Sequence, residues 1–143
     1  KPALLIIVMI HKPMITCKCE HPEDSDDKLP NAVPYHEIFK KYAVDLVLQG
    51  HNHNVQYYNL KDGVKYIVSG AGGREKDSVP NDSDDFPRPG TGINGITIKY
   101  KNDHTSGFTL LEANFDTSEL KGKFISNKGN EEGDSNFTMQ FAD

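Results

Sequence analysis

The sequence predicts an α/β fold that begins as a short βαβ unit and continues as antiparallel β-strands. Three observations carry this. Ala3–Ile10 is an unbroken apolar run rich in isoleucine and closed by His11-Lys12-Pro13. Ile38, Phe39 and Tyr42 then recur at helical spacing behind Pro34. From Val55 onward apolar residues tend to alternate with polar ones, the period of a half-buried strand.

Each element follows from its residues. Ala3–Ile10 reads as a strand buried on both faces, because nothing polar interrupts it. It is too short for a bilayer, which needs about 20 apolar residues, so no membrane segment is expected. Pro34–Tyr42 reads as a helix, with Pro34 suited to its first turn. Val44–Leu48 is a second buried strand, and strand–helix–strand in this order predicts a right-handed parallel unit. Val55–Leu60 and Val64–Val68 flank Lys61-Asp62-Gly63, a hairpin signal. Ile93–Tyr100, Gly107–Asn114, Leu120–Ser126 and Asn136–Phe141 complete the strands. The 143 residues read as a single domain, with the βαβ part over 1–54 and mainly antiparallel β over 55–143.

Composition narrows the function. With 36% hydrophobic residues and a net charge of −5, the chain can build a core but offers no basic face, so no nucleic-acid surface is expected. An acidic protein that holds an anionic ligand needs a local positive centre such as a metal ion. The acids cluster in segments 20–27, 75–85 and 131–134, which also hold Pro, Ser, Asn or Gly and read as solvated loops.

Histidines mark both strand ends of the βαβ unit. The first strand runs into His11, and the second runs into Gly50-His51-Asn52-His53-Asn54. Ligand sites in parallel sheets lie beyond the carboxyl ends of strands, and neutral imidazole is a common metal ligand. If the strands are neighbours, His11, His51 and His53 converge on one crevice. Gly50 is expected to let the backbone turn sharply at the strand end. His51 and His53 can then splay to either side of a pocket holding two metals about 3.5–4 Å apart.

Gly50-His51-Asn52-His53 resembles the G-H-x-H motif of the calcineurin-like metallophosphoesterases, and His11-Lys12-Pro13 resembles their preceding lone-histidine motif. The stretches 48–56 and Tyr66-Ile67-Val68-Ser69-Gly70-Ala71-Gly72-Gly73 look most like the purple acid phosphatase branch. So do Gly107-Phe108-Thr109-Leu110-Leu111, Lys123-Phe124-Ile125 and Asp134-Ser135-Asn136-Phe137. The resemblance implies a four-layer αββα sandwich and phosphoric ester hydrolysis by a metal-bound hydroxide at a dinuclear centre of iron, zinc or manganese. It implies that His11 and His51 ligate one metal and His53 the other, and that the three are catalytic.

The family's earlier D-x-H, G-D-x-x-D and G-N-H-E/D motifs are absent from the sequence. The chain therefore resembles the carboxyl-terminal half of the domain, a partial domain over 1–143. Its partners would be the amino-terminal half, a phosphate-ester substrate or a second copy of itself. Alone it should bind metal weakly or as a single ion. The alternative is a non-catalytic β-rich interaction module that retains a remnant metal site. The resemblance favours an exported protein.

Other residues are candidates of lesser weight. Asn52 and Asn54 would orient the histidines, meet substrate or simply form the turn. Arg74, after the glycine-rich stretch, would contact an anionic substrate or stand in solvent. His36 reads as a surface residue of the helix and His104 as a turn residue. Cys17-Lys18-Cys19-Glu20-His21 and Asp82-Ser83-Asp84-Asp85 read as solvated loops rather than metal sites. Asn81-Asp82-Ser83 and Asn136-Phe137-Thr138 match the glycosylation pattern at the frequency chance provides.

Overall fold

The N-terminal apolar run forms a strand over its last four residues, β1 (Ile7–Ile10). This is seen in a computed structural model that describes residues 4–16, 32–60, 63–73, 95–130 and 135–141. A helix, α1 (Ala32–Lys41), leads to β2 (Leu46–Gln49), which pairs with β1 in parallel from Ile7–Leu46 to Ile10–Gln49. The expected βαβ unit is present. β3 (Val55–Leu60) and β4 (Lys65–Ser69) form the expected hairpin, with Gly63 at φ 95° in its turn, a conformation that glycine adopts without steric cost.

β4 inserts beside β2 and runs parallel to it, which the reading of an antiparallel remainder did not anticipate. β5 (Ile96–Asn102) closes the other side of β3, giving a mixed sheet in the order β1-β2-β4-β3-β5. β6 (Gly107–Asn114), β7 (Glu119–Ser126) and β8 (Phe137–Gln140) make a separate antiparallel sheet in sequence order.

Alternation along the strands divides two cores. Val47, Tyr58, Tyr66 and Val68 form one with Met14 and Ile15, and Phe39 of α1 packs on it. Leu46, Val55, Tyr57 and Ile67 form the other, against Leu120, Phe124 and Met139 of the second sheet. Among the described residues the layers are thus helix, five-stranded sheet, three-stranded sheet. The fold class is α/β, with few helices. Two glycines make the second sheet pack closely. A Cβ on Gly122 would stand 2.2 Å from the Phe137 ring, and one on Gly107 would stand 2.1 Å from the Ile125 carbonyl oxygen.

Two expectations are corrected. β1 is not buried on both faces: Ile7 and Met9 are exposed, because β1 is an edge strand and no described element covers that side. His36 is not a surface residue: it is 3% exposed, with Nδ1 2.7 Å from the Tyr66 hydroxyl. The helix turns His36 and Phe39 toward the sheet and leaves Ile38 and Tyr42 in solvent. Periodicity identified the helix but chose the wrong stripe, since a histidine can be buried where its ring nitrogen finds a hydroxyl partner.

Tyr57 lies at the centre of the inter-sheet core, edge-on to Phe137 at 5.2 Å and near Tyr100. Burial pushes its phenol from 10.0 up to about 12, against a smaller opposing effect of its contact with Thr109. The folded state therefore holds this proton more tightly than the unfolded chain does. Its contribution to stability is whole below pH 10 and fades as pH rises toward 12. Urea unfolding of Tyr57→Phe between pH 9 and pH 12 should show a shallower loss of stability than wild type across that window.

Candidate metal centre

The parallel register sets the geometry. Because Ile10 lies opposite Gln49, residues 11 and 50 leave the sheet side by side, and the Gly50 N–H donates to the His11 carbonyl at 3.1 Å. The chain then folds through two tight turns. The Asn52 N–H donates to the Gly50 carbonyl and the Asn54 N–H to the Asn52 carbonyl, each at 2.8 Å. The sharp bend falls on His51, at φ 67°, and not on Gly50. A left-handed histidine is uncommon and persists where surrounding contacts over-determine it.

His11 and His51 meet. Nε2 of His11 lies 3.3 Å from Nδ1 of His51, with ring centroids 5.1 Å apart and the planes at 80°. In this state the contact is a ring-to-ring hydrogen bond. The same spacing suits a cation, since two imidazole nitrogens about 2.0–2.1 Å from one tetrahedral ion lie roughly 3.3 Å apart. His53 is half-buried near Gly70, beyond the end of β4. No group of three His, Cys, Asp or Glu side chains able to hold an ion occurs among the described residues. The structure thus brings together His11 and His51 and does not gather all three histidines into one cluster.

Buried carboxamides brace both histidine segments. Gln49, 3% exposed, accepts from the Met14 N–H at 2.6 Å and the Ile15 N–H at 3.2 Å, and donates to the Ile15 carbonyl at 3.0 Å. Gln56 accepts from the Thr16 hydroxyl at 3.3 Å and from the Tyr58 hydroxyl, and donates to Asn54 Oδ1 at 2.6 Å. Sequence reasoning missed Gln49 and Gln56. Their signal was a glutamine at the end of one strand and near the start of the next, where a long polar side chain needs buried partners.

Asn52 and Asn54 are buried within the turn and are not displayed at the surface. A cleft of about 510 Å³ opens beside His11, lined by Met9, Leu48, Ser69, Thr109 and Leu111. The Ser69 hydroxyl donates to that of Thr109 at 3.0 Å. His104 is exposed in its turn and lies 2.9 Å from Asp103. Arg74, the Cys17–His21 motif and the Asp82–Asp85 run lie outside the described residues.

No protein-family model matches the chain. A stretch of it is 45% identical over 50 residues to tartrate-resistant acid phosphatase type 5 of Oryctolagus cuniculus, covering 31% of this chain and 15% of that protein. Among solved structures it resembles GAP50, described as the anchor in the inner membrane complex of Plasmodium, with a TM-score of 0.66 and 18% sequence identity. That likeness covers 96% of this chain and 36% of the other, and it is a likeness of fold. The chain therefore spans well under half the length of either protein.

Gly70, the residue after β4, packs directly against the histidine turn. The Gly70 N–H donates to the Asn54 carbonyl at 3.0 Å, and a Cβ on Gly70 would stand 1.9 Å from the Asn52 carbonyl oxygen. Backbone cannot yield there without moving the histidine turn. Gly70→Ala should cost about 1–3 kcal/mol in urea unfolding. Gly72→Ala, whose added Cβ meets nothing within 4 Å, should change stability far less.

Proposed function

We propose that this chain supplies the carboxyl-terminal metal-binding part of a phosphoric ester hydrolase of the purple acid phosphatase type. The observation that carries the reading is the His11–His51 imidazole pair, 3.3 Å apart at the carboxyl ends of two parallel strands. The local identity to an acid phosphatase supports it. His11 and His51 would hold one cation and His53 the other, drawn from iron, zinc or manganese. When bound, such ions polarise phosphoryl oxygens and supply a nucleophile at neutral pH.

The chain's own residues prepare that site. His11 and His51 bring two ring nitrogens within 3.3 Å of each other, and Asn52 and Asn54 orient the histidine turn. Arg74 would meet the anionic ester. The remaining ligands, a bridging carboxylate among them, come from the amino-terminal half, which covers the open side of β1. Without that half the exposed Ile7–Met9 edge pairs with a second copy. Light scattering of the chain alone should then show dimers or larger species, and a monodisperse monomer at high concentration would contradict this.

A second reading is a non-catalytic interaction module with a remnant metal site. It is favoured by the two-histidine limit among the described residues and by the anchor role in the structural neighbour's description.

Replacing His51 decides between them. In protein containing both halves, His51→Ala should lower metal content measured by elemental analysis. It should also reduce hydrolysis of an aryl phosphate on the order of 100-fold or more, since losing even an outer partner of a ligand costs 10–100-fold. Full activity in the variant would refute the enzymatic reading. Wild-type protein with both halves that is inert would count against the enzymatic reading and favour the module.

A further inference from the structure

We infer that the carboxamides of Gln49 and Gln56 are positioning residues that set His11 against His51 before any cation arrives, an inference that rests on the metal-centre reading above. The two histidines lie on separate segments, 11–16 and 50–54, joined directly by the Gly50–His11 backbone bond and the ring contact itself. Neither contact explains why segment 11–16 stays at the strand ends instead of extending into solvent.

The carboxamides do. After Pro13 the chain dives inward, burying Met14 and Ile15 almost completely in the helix-side core. That inward turn strips water from the Met14 and Ile15 N–H groups and from the Ile15 carbonyl. Gln49 replaces that water with one side chain, accepting from both N–H groups and donating to the carbonyl. A buried amide group left without such a partner is costly, so the inward path and the glutamine require each other.

Gln56 adds the link between segments. Its Oε1 receives the Thr16 hydroxyl from the first segment, and its Nε2 donates to Asn54 from the second. Tyr58, two residues on and 1% exposed, donates its hydroxyl to the same Oε1 and fixes which end of the carboxamide faces which segment. Gln56 and Asn54 are wholly buried, so solvent does not compete for these bonds. One amide therefore spans both histidine segments from below, while the rings meet above it.

The test uses the full chain with three variants, Gln49→Leu, Gln56→Leu and Thr16→Val. Nuclear Overhauser effects between the His11 and His51 ring protons report positioning without metal, and zinc titration calorimetry reports its consequence. Wild type should show the ring-to-ring effects. In the two leucine variants these should vanish and zinc should bind about 10–100-fold more weakly, while amide resonances of β6–β8 keep their positions. Ring proximity and zinc affinity unchanged in the folded leucine variants would overturn the inference, as would rings that stand apart in wild type. Should the leucine variants fail to fold, Thr16→Val decides, because it removes a single hydroxyl. If it leaves both readouts untouched, the inference falls. Rings that separate in the variants would uphold the positioning role even where wild-type protein containing both halves takes up no zinc, an outcome that would instead refute the metal-centre reading.

Discussion

Four parallel pairs of residues, from Ile7–Leu46 to Ile10–Gln49, govern the rest of this molecule. Parallel pairing sends both strands out of the sheet in the same direction, so whatever follows them must share one rim. An antiparallel arrangement would have placed His11 and His51 at opposite ends. The crossover helix between the strands makes this pairing possible, and the His36–Tyr66 bond ties that helix to β4. The ring pair, the inward path of 13–16 and the left-handed His51 are all consequences of two strands ending together.

The site is also shaped by what lies under it. The histidine turn is held from β2, β3 and β4 at once: by Gln49 through the neighbouring segment, by Gln56 through Asn54, and by Gly70 through the backbone. These supports are buried, whereas the His11 ring is open to solvent and His51 and His53 are half-open. Rigid underpinning with accessible nitrogens suits a ligand site, where the scaffold must not relax as the ion enters.

Much of this was legible in the residues, for identifiable reasons. Strand and helix periods are local, so the βαβ start, the hairpin at Gly63 and the alternating strands from 107 onward could be read directly. Gly50-His51-Asn52-His53 stood out because a polar cluster terminates an apolar run. What escaped reading was set by distant partners. The bonds from Gln49 to Met14 and Ile15 span 34 or 35 residues, and no period announces them. The burial of His36 depends on a tyrosine 30 residues away. The exposed face of β1 depends on which strand sits at the edge, and the bend at His51 on the closed ring of contacts around it. Propensity alone would have assigned that bend to Gly50.

The second sheet carries a different lesson in its glycines. Gly122 sits between Leu111 on one side and the Phe137 ring on the other, in a space only a hydrogen can share. Sliding β8 by a single position would turn that ring to the opposite face of the sheet, away from this gap. The glycine thus acts as a keyhole that admits one alignment of three strands and rejects its neighbours. That fit lies on the inner surface of the sheet, where Leu111 and Phe137 pack against the inter-sheet core.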